Sequence, residues 1–77
     1  MTGNRLLSVI EVVCRVGGIG GLQPDQDFYD AGLTSLQALP LLLEMEDRFQ
    51  VSIPDDRFIA SRTARQLAEL VAGIQDS

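Results

Sequence analysis

Two nucleophilic side chains draw attention by their settings: the hydroxyl of Ser35, which follows a Gly-Leu pair at the start of a leucine-rich stretch, and the single thiol of Cys14. A serine acting as a hydrolase nucleophile needs an imidazole as its base. The chain has no histidine, so Ser-His-Asp chemistry is excluded and an independent enzyme is not expected. One cysteine cannot build an intramolecular disulfide framework, and without a Cys/His cluster an ordinary zinc site is excluded too. Cys14 is in step with Leu7 and Ile10, which puts it on an apolar helix face as a structural thiol. Gly17, Gly18, Gly20 and Gly21 lack the lysine spacing of a phosphate-binding loop and read as turn formers.

The 77 residues make one domain, 1–77, with 45% hydrophobic residues for one modest core. The net charge is −5 and all six cations are arginines. Nucleic acid is a poor partner for such a surface, since phosphate binding needs clustered basic residues. Basic protein surfaces fit it better. Only Arg5 precedes a short amphipathic stretch, so no signal peptide is read, and no run is long enough to span a membrane. These features describe a soluble cytoplasmic protein.

The elements that must position Ser35 follow from the apolar spacing. Over about residues 2–16, Leu6, Ile10 and Val13, with Leu7, Ile10 and Cys14, give the three- and four-residue steps of a first helix. Gly17-Gly18 stops it. The stretch from Gly17 to Leu33, with five glycines and Pro24, is a long ordered loop pinned by Ile19, Leu22, Phe28 and Leu33. A second helix starts at Thr34-Ser35, where Thr34 and Gln37 match a capping box. Two stripes run along it to about Gln50: Leu36, Leu39, Leu43 and Leu42, Met45, Phe49. Pro40 falls inside this pattern and predicts a kink near residues 36–40 or an irregular first turn. Val51-Ser52-Ile53-Pro54 is extended. Asp55-Asp56 open a short helix to about Ala60, and Thr63, again with glutamine three on, opens the last one through Ala64, Leu67, Ala68, Val71 and Ile74. The fold class is all-α: a small bundle of four helices, three main and one short.

The segment Asp27-Phe28-Tyr29-Asp30-Ala31-Gly32-Leu33-Thr34-Ser35-Leu36 resembles the acyl carrier protein family, including its aminoacyl and peptidyl branches. The likeness continues through Glu44-Met45-Glu46-Asp47-Arg48-Phe49 and Val51-Ser52-Ile53-Pro54-Asp55-Asp56 to Thr63, covering nearly the whole chain. The resemblance implies a four-helix bundle of acyl-carrier type. It also implies that Ser35 receives a 4′-phosphopantetheine arm from coenzyme A, by a separate magnesium-using phosphopantetheinyl transferase. The chain would then be a stand-alone monomeric carrier, not an enzyme, holding acyl or aminoacyl groups as thioesters. An acyl- or aminoacyl-loading ligase or synthase would charge it, and downstream acyl-transfer enzymes would read it. Thr34, Leu36, Leu43, Glu44, Glu46, Asp47, Asp55 and Asp56 are the implied docking residues. Two departures point to a specialised carrier and away from ordinary fatty-acid synthesis. Thr34 replaces the aspartate usual before the serine, and Gln37 and Pro40 stand where acidic residues are frequent.

Each signal also has a plainer reading. Serine is common at helix starts. Glu44 and Arg48 could form an i,i+4 pair worth about 0.2–0.5 kcal/mol on a solvated face. Leu36 and Leu43 could belong to the core. The alternative function is an unmodified helical interaction module of the same fold, which would survive loss of Ser35.

Overall fold

A computed structural model describes residues 4–76. The first helix, α1 (Asn4–Gly17), buries Val9, Val12 and Val13 completely, with Leu6, Ile10 and Cys14 half-buried at its edges. Positions 9, 12, 13 and 16 share one face at 3.6 residues per turn. Leu7 is two residues, about 200°, from Val9, so it faces solvent and does not join the apolar stripe expected of it. Thr2, inside the expected span, lies outside the described residues. Gly18 takes φ +64°, and the Ile19 N–H donates to the Cys14 carbonyl at 2.9 Å. That bond closes the helix end, as the glycine pair suggests.

Residues 18–34 form the long loop, held by buried Leu22, Phe28 and Leu33 and half-buried Ile19. Its middle is tied to the start of the last helix. The Phe28 N–H donates to the Arg62 carbonyl at 2.9 Å, and the Arg65 N–H donates to the Pro24 carbonyl at 3.0 Å. The Arg62 guanidinium bonds the Asp27 carboxylate at 2.6 Å and lies 5.0 Å from the centre of the Tyr29 ring.

The second helix does not start as one continuous α-helix. Ser35–Gln37 is a 3-10 turn, and α2 runs Ala38–Phe49. Pro40 is therefore the third residue of α2, where its missing N–H would have had no intrahelical acceptor. This is the irregular first turn that the proline predicts. Of the two leucine-rich stripes, Leu42 and Met45 are buried with Phe49 half-buried, joined by buried Leu41 from outside either stripe, whereas Leu36, Leu39 and Leu43 are exposed. α2 ends at Gln50 in the left-handed region, φ 55°.

α3 (Asp55–Ala60) and α4 (Ala64–Gln75) match their sequence reading. Phe58 is the buried residue of α3; Ala64, Leu67, Ala68 and Val71 are those of α4. The Thr63 hydroxyl caps α4 by accepting the Gln66 N–H at 3.1 Å. α1 packs on α4 and α2, and α3 packs on α4, around one cluster centred on Phe28, Leu41, Met45 and Leu67. Among the described residues no helix is long and apolar enough to cross a membrane.

Candidate functional site

The approach to Ser35 is built by a tight series of backbone bonds. Ala31 N–H donates to the Asp27 carbonyl (3.1 Å), Gly32 N–H to Tyr29 (3.2 Å) and Leu33 N–H to Phe28 (2.9 Å). Gly32 takes φ +133°, which side-chain-bearing residues rarely adopt. The turn sends Leu33 into the core and leaves Thr34 and Ser35 at the surface. Thr34 is extended, and its N–H donates to the Gln37 carboxamide at 2.9 Å, which is the glutamine half of the expected capping box. The Gln37 N–H closes the 3-10 turn on the Thr34 carbonyl at 3.0 Å.

Ser35 is exposed, and among the described residues its hydroxyl has no hydrogen-bond partner. The backbone N–H groups of Ser35 and Leu36 likewise have no acceptor among those residues. Ser35 borders a groove of about 250 Å³ between α2 and α3, lined also by Ala38, Leu39, Leu42, Asp55, Phe58 and Ile59. Buried Leu42 and Phe58 contribute its deep side, while Leu39 and Ile59 remain exposed. The site thus combines a free hydroxyl, two free amides and an apolar trough. It holds no acid–base pair for catalysis, and no group of three or more metal-ligating side chains occurs among the described residues.

The carboxylates read as docking residues separate into two sets. Glu44 bonds Arg15 of α1 at 2.7 Å, and Arg48 bonds Glu11 at 2.9 Å. The i,i+4 pair of Glu44 with Arg48 is therefore not formed; both reach across to α1, because the antiparallel helices set opposite charges side by side. Glu46 is half-buried and accepts the Ile53 N–H at 2.8 Å, fixing the extended segment before α3. Asp47, Asp55 and Asp56 stay exposed, and Asp55 borders the groove with Ser35. Leu36 is 89% exposed and Leu43 is 56% exposed, so neither is a core residue.

Leu39 and Ile59 belong to this surface and were not singled out from the sequence. A signal existed for Leu39. A small bundle helix can bury one stripe, and α2 carries two. For Ile59 no comparable signal exists, since a six-residue helix shows too little periodicity to assign a face.

A family model described as a phosphopantetheine attachment site matches residues 5–71. No curated protein matches the sequence significantly. Solved structures do. A chain in the complex of the phosphopantetheine transferase Sfp with coenzyme A and a peptidyl carrier protein is 26% identical, with a TM-score of 0.80 over 88% of each chain. The hexanoyl acyl carrier protein of the actinorhodin polyketide synthase from Streptomyces coelicolor is 29% identical, with a TM-score of 0.70 over 99% of this chain and 91% of that one. The acetyl form of the actinorhodin carrier from the same organism is 28% identical over the same shares, with a TM-score of 0.66.

Proposed function

The chain belongs to the phosphopantetheine attachment family and is a carrier bearing that arm covalently; from that premise we propose that Ser35 Oγ is the attachment atom and that the cargo is an acyl or aminoacyl group held as a thioester. The observation that supports this most is the unpaired, exposed Ser35 hydroxyl at the edge of the groove. A phosphodiester fits there. Two free amides stand beside the oxygen at the positive end of the helix dipole, an arrangement worth about 0.3–1 kcal/mol to an exposed anion.

In the loading step the Ser35 oxygen attacks the pyrophosphate of coenzyme A and loses its proton to a base of the transferase. A P–O bond to serine forms as the bond inside the pyrophosphate breaks, and adenosine 3′,5′-bisphosphate leaves. The arm supplies a terminal thiol, whose thioester keeps its carbonyl electrophilic and its leaving group good. The protein's own part is positional. Leu33 anchors the segment, Gly32 turns it outward, and Gln37 holds the Thr34 amide so that Ser35 stays at the surface. Tethering then raises the local concentration of cargo at a partner's active site.

The same reading takes the 77 residues as one carrier domain, working in the cytoplasm where coenzyme A is consumed. Its partners are a phosphopantetheinyl transferase, a loading ligase or synthase, and acyl-transfer enzymes. They approach over Thr34, Leu36 and Leu43, with Asp47, Asp55 and Asp56 at the margin. The test is intact-protein mass after incubation with coenzyme A, magnesium and a broad-specificity transferase. Wild type should gain one phosphopantetheine and Ser35→Ala none. A folded wild type that gains nothing from several transferases would instead be the unmodified interaction module.

A further inference from the structure

The turn that delivers the chain to Ser35 hangs on three consecutive carbonyls. Asp27 accepts from Ala31 N–H, Phe28 from Leu33 N–H and Tyr29 from Gly32 N–H, so each amide of residues 31–33 is held by one of residues 27–29. Phe28 and Leu33 are buried and fix the two ends, but none of residues 29–32 between them is buried. What holds that middle is polar. The Asp27 carboxylate accepts the Tyr29 and Asp30 amides on Oδ1, at 2.8 and 3.2 Å, and the Arg62 guanidinium on Oδ2 at 2.6 Å. Arg62, just before α4, grips all three carbonyl-bearing residues. Its guanidinium meets Asp27 and lies 5.0 Å from the centre of the Tyr29 ring, and its own carbonyl accepts the Phe28 N–H.

A second ion pair joins the same loop to α4 without reaching the turn. Arg65 bonds Asp25 at 2.7 Å, and the Asp25 side chain is 73% exposed against 26% for Asp27. No bond runs from Asp25 into residues 27–33 among the described residues. Two pairs of one chemistry thus join the same two elements, and one of them is wired to Ser35.

We propose that Asp27 and Arg62 are positioning residues for the modification of Ser35, holding the turn of residues 28–33 closed so that the serine is presented in one place. The inference rests on Ser35 being the attachment atom. Neither side chain touches the reacting oxygen; both act through the carbonyls of residues 27–29. Without the pair the turn opens locally while the core stays packed, since solvated backbone bonds open at lower cost than buried helices. A transferase must meet the serine oxygen itself, so its apparent affinity falls by the fraction of molecules whose turn is closed, and the bound complex reacts as before.

The experiment measures the kinetics of phosphopantetheine gain with coenzyme A, magnesium and a broad-specificity transferase, at a temperature where melting curves show every variant folded. Asp27→Asn keeps an oxygen for the Tyr29 and Asp30 amides but loses the charge; Arg62→Gln removes the other partner and, being more exposed, carries the test if the first folds poorly. Each should raise KM about fivefold with kcat within about twofold of wild type. The double variant should be no worse than either single one, because both break one device. Arg62→Lys should bring KM back toward wild type, and Arg65→Gln should leave it unchanged. Amide hydrogen exchange at Ala31, Gly32 and Leu33 should speed up about fivefold in Arg62→Gln and not in Arg65→Gln. Wild-type kinetics in both variants, a loss confined to kcat, or an equal loss in Arg65→Gln overturns the proposal. A folded wild type that gains no mass overturns the Ser35 reading beneath it, and is told apart because no variant comparison is then needed.

Discussion

The Arg15 guanidinium bonds the Glu44 carboxylate at 2.7 Å across the contact of α1 with α2, joining residues 29 apart in sequence. Both side chains are about half exposed, 57% and 47%, so the pair is screened by water. A double-mutant cycle of Arg15→Ala and Glu44→Ala in urea unfolding should give a coupling of about 0.2–1 kcal/mol at low salt. High salt should reduce it. A coupling of several kcal/mol would mean that the pair is far better shielded than its exposure indicates.

Gly32 predicts a backbone effect without a steric one. A Cβ there would meet only Ile19 Cγ1, at 3.7 Å, an ordinary contact, whereas φ +133° is unfavourable for any side chain. Gly32→Ala should lower stability by about 1–3 kcal/mol. Gly20→Ala is the comparison: it has open space and no positive φ, so it should be neutral or slightly stabilising. Equal effects of the two in urea denaturation would contradict the strain argument.

Asp27 should titrate below the ordinary aspartate range. The Arg62 side-chain hydrogen bond lowers its pKa most; desolvation opposes this, and the Asp30 and Tyr29 amides lower it further. A carboxyl whose folded pKa is depressed contributes stability that is fully present above its unfolded value, about 3.9. That contribution is lost as pH falls through the folded pKa. NMR titration of the Asp27 carboxyl should show a midpoint below that of free aspartate, and Arg62→Gln should move it up. An unmoved midpoint would assign the shift to the backbone amides alone.

Much of the architecture was legible because it rests on local chemistry. Gly17-Gly18, Thr63 with Gln66, and Pro54 with Asp55-Asp56 each mark a helix boundary by capping or backbone restriction, and each boundary lies where those rules put it. Pro40 announced an irregular turn for the same reason. Facing was harder. Leu7 looks like a stripe residue until the complete burial of Val9, Val12 and Val13 fixes the rotation of α1. The partners of Glu44 and Arg48 depend on how α1 lies against α2, which spacing along one helix cannot reveal. The exposed face shared by Leu39 and Ile59 depends on the packing of α3, a tertiary fact with no local signature.

Pro40 sets a limit on how the turn at Ser35 can rearrange. Winding residues 35–37 into α2 would require residue 40 to donate a hydrogen bond to Leu36, and it has no hydrogen to donate. Its ring would also crowd that carbonyl, at a cost of about 3 kcal/mol, so fewer than about one molecule in a hundred would adopt the longer helix. The limit is covalent, so pH and salt do not loosen it. Whatever leaves the fold at Ser35 does so on a bearing fixed five residues downstream.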